Sequence, residues 1–206
     1  MKLLDTSSII DFPNDVKLGY SEIKSGLPID ILSEEERKEW EGFTNQHRKN
    51  EFLSARHLFN ALLKSISKDS KFVLKKHPLG KPFASNEESE LFVSFSHSKN
   101  LVFCAISNSV DIGLDTEWLD RNVDERIVKR ILGESEWKVF SEENPILLWT
   151  IKEAAVKCLG TGLRTNLKEL EIRKNGEIKF FVRINDEKTF QICSFQELNH
   201  QISIAY

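Results

Sequence analysis

Cysteine is scarce in this sequence, and the few cysteines form no recognisable pattern. The three of them, Cys104, Cys158 and Cys193, are odd in number and far apart, and no CxxC pair is present. We therefore expect reduced thiols in a cytoplasmic protein, rather than a disulfide framework or a zinc site.

The chain also lacks a strong charge of either sign and lacks long apolar runs. A net charge of −3 over 206 residues argues against bulk, salt-driven binding of nucleic acid. No apolar run approaches the roughly 20 residues that a membrane span requires. The opening MKLLDTSSII is interrupted too early, at Asp5, for a secretory signal. The expectation is a soluble globular protein, with no nucleic-acid or membrane partner.

Two segments carry clear helix signals. Residues 44–66 have apolar side chains at spacings of three and four, which predicts a long amphipathic helix. A second helix is predicted to begin with Asn144 as its cap and Pro145 in its first turn, and to end at Gly160.

Strand-like segments dominate the middle and the end of the chain. Residues 91–97 and 101–107 predict a hairpin, and 110–118 follow as a third strand. Residues 75–90 are rich in turn formers and predict a loop. The tail predicts two or three antiparallel strands, the first pair turning at Asn175 and Gly176. The order of helices, strands, helices and strands indicates an α+β fold.

Two acids lie two residues apart in the third strand, VDIGLDTEW. Because side chains alternate in a strand, Asp115 and Glu117 face the same way. Adjacent half-buried carboxylates repel each other and require a cation, a proton or solvent. Oxygen ligands suit Mg²⁺. A solvated strand end is the alternative.

The second predicted helix adds a third carboxylate and a lysine. Glu153 and Lys157 are four residues apart and share one helical face, with Trp149 a turn earlier. A surface ion pair is the ordinary explanation. However, the surrounding residues are so apolar that the helix should be largely buried, where a charged pair is costly. The combination favours a site for a metal and a phosphate.

The segment FVSFSHSKN offers a hydroxyl and an imidazole at a predicted strand end. Ser96 and His97 have the chemistry to contact a phosphate or a ribose. A histidine at a turn is more often structural or solvated, so this assignment depends on its neighbours.

Five motifs together resemble a known family, the 4′-phosphopantetheinyl transferases, in the longer monomeric branch that includes the enzyme activating surfactin synthetase. In this sequence they are RKNEFLSAR (48–56), GKPF (80–83), FSHS (95–98), IGLDTEW (112–118) and WTIKEAAVKCLGTG (149–162). Each motif alone is unspecific, whereas the ordered set is specific. The resemblance is weak in the first 30 and the last 40 residues.

The resemblance implies an activity and an architecture. The reaction moves the phosphopantetheine arm of coenzyme A to a serine of an acyl or peptidyl carrier protein and releases adenosine 3′,5′-bisphosphate. The fold is one monomeric transferase unit, residues 1–206, with two similar α+β halves related by a pseudo-two-fold axis. We place the halves at about 1–100 and 101–206, with coenzyme A between them.

The resemblance also assigns the acidic residues. Asp115, Glu117 and Glu153 match the family's Mg²⁺ ligands, and Asp115 and Lys157 lie against the phosphates of coenzyme A. Lys157 takes up charge on the transferring phosphate. The base that accepts the proton of the carrier serine is either Glu153 or a metal-bound water that Glu153 orients, and the sequence leaves both open.

Six further positions match the coenzyme A site of the family. Ser96 and His97 match contacts to the 3′-phosphate end, Arg48 and Arg56 match basic positions near that phosphate, and Lys81 and Pro82 match residues at the adenine. Arginine and lysine suit a phosphate dianion. The alternatives are solvated helix surface for Arg48 and a plain turn for Lys81.

Carrier proteins are usually acidic, so an enzyme of net charge −3 requires a local docking surface. The segment ERIVKRIL, with Arg126, Lys129 and Arg130, is our candidate, although it also fits a polar outer helix face.

Two other functions compete with transfer. Another Mg²⁺-dependent phosphoryl transferase is disfavoured because no P-loop or kinase motif is present. The second is a coenzyme A-binding module without catalysis.

Overall fold

The computed structural model describes residues 1–66, 72–175, 179–184 and 188–206. They form two antiparallel sheets, each covered by helices, and the predicted α+β class is confirmed. Among the described residues no helix is both long enough and apolar enough to cross a membrane. All three cysteines are free and buried.

The first sheet has six strands in the order β1-β2-β6-β5-β4-β3. Its strands are β1 (Lys2–Leu3), β2 (Val16–Glu22), β3 (Val73–Lys76), β4 (Pro82–Ser85), β5 (Glu90–Ser98) and β6 (Leu101–Ser107). Helix α1 (Glu34–Gly42) opens with a capping box between Ser33 and Glu36. Helix α2 (Gln46–Ile66) packs Leu58, Phe59 and Leu62 against the sheet, which forms the first core.

The second sheet has five strands in the order β7-β11-β10-β9-β8. They are β7 (Gly113–Trp118), β8 (Leu170–Asn175), β9 (Lys179–Ile184), β10 (Lys188–Glu197) and β11 (His200–Ala205). Three helices cover it: α3 (Glu125–Ile131), α4 (Glu134–Phe140) and α5 (Pro145–Leu159). Helix α5 buries Leu148, Ile151 and Ala155 in the second core.

The predictions for the two long helices are confirmed. Asn144 accepts a hydrogen bond from the backbone N–H of Ile146, Pro145 is the first helical residue, and Gly160 ends α5 with φ of 78°. The predicted hairpin of β5 and β6 is also present. The proposed halves 1–100 and 101–206 stay a prediction, and the chain passes from the first sheet to the second between β6 and β7.

Two secondary-structure predictions were wrong. The predicted loop 75–90 contains β4 and the end of β3, because its polar residues occupy exposed strand positions. Strand β2, in the first third of the chain, was not predicted from the sequence. The described residues of the tail form four strands rather than two or three. The predicted turn at Asn175 and Gly176 extends outside the described residues.

Gly113 allows α5 to lie directly against β7. A Cβ atom at this position would come within 2.0 Å of the Ala154 carbonyl oxygen and 2.3 Å of the Cys158 backbone nitrogen. No side chain fits such a gap, so the close approach of helix and strand requires glycine. This approach brings the acids of β7 and of α5 to one place.

Candidate active site

A cavity of about 420 Å³ lies where β5, β7, α2 and α5 meet. Eight of the residues singled out from the sequence line it. One group comprises Asp115, Glu117, Glu153 and Lys157, and the other comprises Arg48, Arg56, Ser96 and His97. The structure thus gathers side chains from four separate elements, and it combines acidic and basic groups in one cavity.

Asp115 and Lys157 form an ion pair in this cavity. The Lys157 Nζ donates to Asp115 Oδ1 at 2.7 Å, and also to the carbonyl oxygens of Leu114 at 2.8 Å and Phe95 at 3.2 Å. An ammonium group has three N–H donors, so all three have protein acceptors. Because Phe95 lies in the first sheet and Leu114 in the second, Lys157 also joins the two sheets.

The other two carboxyl groups have raised pKa values. Burial is the main cause at both Glu117 and Glu153, and the charge of Asp115 raises both further. Arg121 opposes the shift at Glu117, to which it donates a hydrogen bond, and Lys157 opposes it at Glu153. The three carboxylates therefore repel one another in a partly dry site.

This repulsion predicts that Glu153→Gln stabilises the protein. The amide removes one half-buried charge, so we expect the melting temperature in chelator at pH 7 to rise by about 2–4 °C, the effect of ~1 kcal/mol in a chain of this size. Scanning calorimetry measures it. The control is Glu142→Gln, which removes an exposed acid.

The rise in melting temperature caused by Glu153→Gln should depend on pH. A pKa raised above the ordinary 4.5 means that folding favours neutral Glu153. The associated stability is complete below pH 4.5 and is lost as the pH rises through the higher folded-state pKa. The advantage of Glu153→Gln should therefore disappear in acid, and a variant less stable than the parent at pH 7 would contradict the repulsion.

The three acids could supply oxygen ligands to a cation, but their side chains are not arranged as a complete metal site. Among the described residues, no group of three or more histidine, cysteine, aspartate or glutamate side chains is arranged to hold a metal ion. Lys157 and Arg121 neutralise Asp115 and Glu117 instead. However, Asp115 Oδ2 is buried and has no hydrogen-bond partner among the residues that the structure describes. Such an oxygen is costly to bury, and a hard cation would satisfy it.

An acidic residue that was not predicted from the sequence, Glu51, lies among the basic residues of the cavity. Glu51 is buried and pairs with Arg48 at 3.0 Å and with the His97 Nδ1 at 3.5 Å. Arg48 also lies 3.0 Å from the His97 Nε2. Partial burial lowers the pKa of His97, against the opposing charge of Glu51. The spacing of three residues between Arg48 and Glu51 on one helix was the available signal.

Arg56 is fixed more tightly than the other basic groups. Its Nε donates to Glu36 Oε1 at 2.7 Å. Its guanidinium carbon lies 3.9 Å from the ring centre of Phe52 and 4.9 Å from that of Phe95. Stacking and pairing together hold this cation at the wall of the cavity.

Lys81 and Pro82 lie outside the residues that line the cavity. The Lys81 ammonium pairs with Asp111 and also donates to the carbonyl oxygen of Cys158, near the end of α5. This is a link between β4 and the C-terminal end of a helix, where a cation is electrostatically favoured. A nucleotide contact for Lys81 and Pro82 stays a prediction.

The second half of the chain matches a family model. Residues 111–206 match the model described as the 4′-phosphopantetheinyl transferase superfamily. This segment is therefore similar to that superfamily. It carries β7 and α5, and hence Asp115, Glu117, Glu153 and Lys157. It also includes the last 40 residues, where the motif resemblance is weak.

Curated relatives of the same family align with about half of the chain. The 4′-phosphopantetheinyl transferase gsp of Aneurinibacillus migulanus is 32% identical over 110 residues, which is 50% of this chain and 44% of the relative. The 4′-phosphopantetheinyl transferase HetI of a Nostoc species is 35% identical over 103 residues, or 45% and 43%. The chain thus spans less than half the length of these relatives.

A third relative is matched over a shorter stretch. The holo-[acyl-carrier-protein] synthase of Photorhabdus laumondii is 46% identical over 48 residues, 21% of this chain and 38% of the relative. All three relatives support the resemblance to the transferase family that the five motifs indicate.

Proposed function

We propose that this protein transfers the 4′-phosphopantetheine arm of coenzyme A to a serine of an acyl or peptidyl carrier protein, with Mg²⁺, and releases adenosine 3′,5′-bisphosphate. The observation that carries the proposal is one cavity lined by four carboxylates, a lysine and two arginines. The names of the three relatives support the same chemistry. We expect a cytoplasmic monomer, as the resemblance implies.

Asp115, Glu117 and Glu153 are the proposed Mg²⁺ ligands. They supply only oxygen donors, the type that Mg²⁺ prefers, and Asp115 keeps one buried oxygen free of hydrogen bonds to the described residues. Burial is the main cause of the raised pKa values of Glu117 and Glu153, and their repulsion with Asp115 adds to it. A cation would relieve that repulsion. The ion would neutralise charge on the pyrophosphate during attack by the serine.

The protein residues supply the remaining steps. Lys157, on the wall of the cavity, is proposed to take up charge on the transferring phosphate by exchanging one of its protein acceptors for a phosphate oxygen. Glu153 is the proposed base, acting directly or by orienting a water. Its raised pKa brings it nearer to neutral pH, where a carboxylate accepts a proton more readily.

The basic group is the proposed site of the 3′-phosphate. Arg48 and His97 lie within 3.0 Å of each other, and Arg56 is stacked at the same cavity. Glu51 now pairs with both Arg48 and His97. A phosphate that binds there would replace Glu51 as the partner of Arg48. Ser96 and His97 are candidates for contacts to the same phosphate.

Intact-mass spectrometry tests the transfer. We expect a carrier incubated with the protein, coenzyme A and Mg²⁺ to gain about 340 Da, the mass of the phosphopantetheine arm. No gain on several acyl and peptidyl carriers, with coenzyme A binding retained in calorimetry, would favour the binding module without catalysis.

The exposed face of α3 is the proposed docking surface for the carrier. Arg126, Lys129 and Arg130 point to solvent, whereas Val128 and Ile131 are buried on the opposite face. Val139 of the adjoining α4 is 69% exposed, which adds an apolar contact. This surface combines positive charge with an apolar residue, and it therefore fits an acidic carrier.

Reversing two of these charges should weaken carrier binding. We expect the double variant Arg126→Glu and Arg130→Glu to raise the KM for the carrier about tenfold, with the KM for coenzyme A unchanged. Lys2→Glu with Lys17→Glu changes the net charge equally on the first sheet and is the control. An unchanged carrier KM in the α3 variant would exclude this surface.

A further inference from the structure

Three serines of β5 join the two sheets through their side chains. The hydroxyl oxygens of Ser94, Ser96 and Ser98 accept hydrogen bonds from backbone N–H groups of β7. The donors are Leu114 at 2.8 Å, Thr116 at 3.0 Å and Trp118 at 2.9 Å. We call these three serines the serine ladder.

The spacing of the serine ladder follows from strand geometry. Every second residue of β5 faces β7, and every second N–H of β7 faces β5, so the two periods match. On its other side β7 pairs with β11 through the backbone, from Gly113 to Trp118. The hydroxyls therefore take the place of a neighbouring strand at this edge of the second sheet.

Two of the three serines make a second hydrogen bond. Ser96 Oγ donates to Asp115 Oδ1 at 3.2 Å, and Ser98 Oγ donates to Glu117 Oε2 at 3.3 Å. Ser94 makes no such contact with an acid among the described residues. A hydroxyl has one hydrogen to donate, so the backbone N–H and the carboxylate together determine its orientation.

We propose that Ser98 is a positioning residue that holds the Glu117 carboxylate for a divalent cation. The Ser98 hydroxyl is anchored by the Trp118 N–H and is only 7% exposed, so it gives the carboxylate a fixed partner. Arg121 binds the other oxygen, Oε1, and the two contacts together restrict the rotation of the side chain. The inference rests on the proposed function, because it gives Glu117 a cation to hold.

Ser98 is better suited to a test than Ser96. Ser96 lines the cavity, so its loss would also disturb a direct contact with coenzyme A. Ser98 is outside that lining, so an effect of Ser98 on cation binding has to pass through Glu117. Partners that hydrogen-bond to a metal-binding carboxylate commonly contribute a factor of ten or more to affinity.

The experiment compares three variants by calorimetric titration with Mn²⁺ as the probe in the presence of coenzyme A. We expect Ser98→Ala to weaken Mn²⁺ binding about tenfold. Ser94→Ala removes the same kind of sheet contact without touching an acid, and should stay within about twofold of the parent. Both should lower the melting temperature by a similar amount, about 2–4 °C. Ser98→Thr keeps the hydroxyl and should restore most of the affinity.

The outcomes separate this inference from the proposed function. Equal Mn²⁺ affinity of Ser98→Ala and Ser94→Ala would overturn the positioning role, even where the parent protein transfers the arm normally. A threonine variant as weak as the alanine variant would also overturn it. A parent protein that binds no Mn²⁺ with coenzyme A present and modifies no carrier would overturn the proposed function itself.

Discussion

Asp115→Ala is expected to lower the rate of carrier modification by at least about 10³-fold, because it removes a proposed ligand of the cation next to the proposed site of the reacting phosphate. Asp115 is the most central of the three acids. It pairs with Lys157, accepts from Ser96 and carries the buried oxygen without a partner among the described residues. The rate is measured by intact mass of the carrier against time.

The fold should survive this change. Removing Asp115 also removes its repulsion with Glu117 and Glu153, which offsets the lost ion pair with Lys157. The control is Asp120→Ala, an exposed acid shortly after β7 that lies outside the cavity lining. Parental rates from Asp115→Ala, in buffer stripped of metals and then supplied with Mg²⁺, would refute the assignment.

Lys152→Met is expected to destabilise the protein by about 3–5 kcal/mol, since it leaves a buried charge without its partner. Lys152 precedes Glu153 and is 0% exposed. Its Nζ donates to Glu136 Oε2 at 2.7 Å and to the carbonyl oxygens of Ile131 at 2.6 Å and Leu167 at 3.0 Å. Burial lowers the pKa of Lys152, whereas Glu136 opposes that shift.

In Lys152→Met, Glu136 would be a buried carboxylate with only backbone donors, the N–H groups of Gly133 and Ile172. Adding Glu136→Gln to Lys152→Met should recover part of the stability, because the unpaired charge is gone. Lys138→Met changes an exposed lysine of α4, the helix that carries Glu136. This control variant should stay within ~0.5 kcal/mol of the parent in urea unfolding. A loss below about 1 kcal/mol in Lys152→Met would show that this pair is not stabilising.

Sequence patterns predicted the long helices better than the edges of the sheets. Helix α5 has a cap, a proline in its first turn and a terminal glycine, and all three signals are local. The strands inside 75–90 are short and largely exposed or half-buried, so neighbouring strands rather than their own residues determine their structure. Such elements have no local pattern strong enough to predict them.

The candidate site was predictable in its chemistry but not in its supports. Alternation in a strand placed Asp115 and Glu117 on one face, and the spacing of Glu153 and Lys157 on an apolar helix added a third carboxylate and a lysine. The orienting role of Ser98 depends on a contact between two sheets, which no local pattern reveals. Glu51 was likewise hidden, because its buried position follows from the packing of α2.

The location of a bound cation tests the central claim most directly. We predict that crystals grown with coenzyme A and Mn²⁺ show an anomalous scattering peak bonded to Asp115, Glu117 and Glu153, at distances of about 2.1 Å. A Mn²⁺ peak bonded to none of these carboxylates, in a protein that still modifies its carrier, would contradict the account.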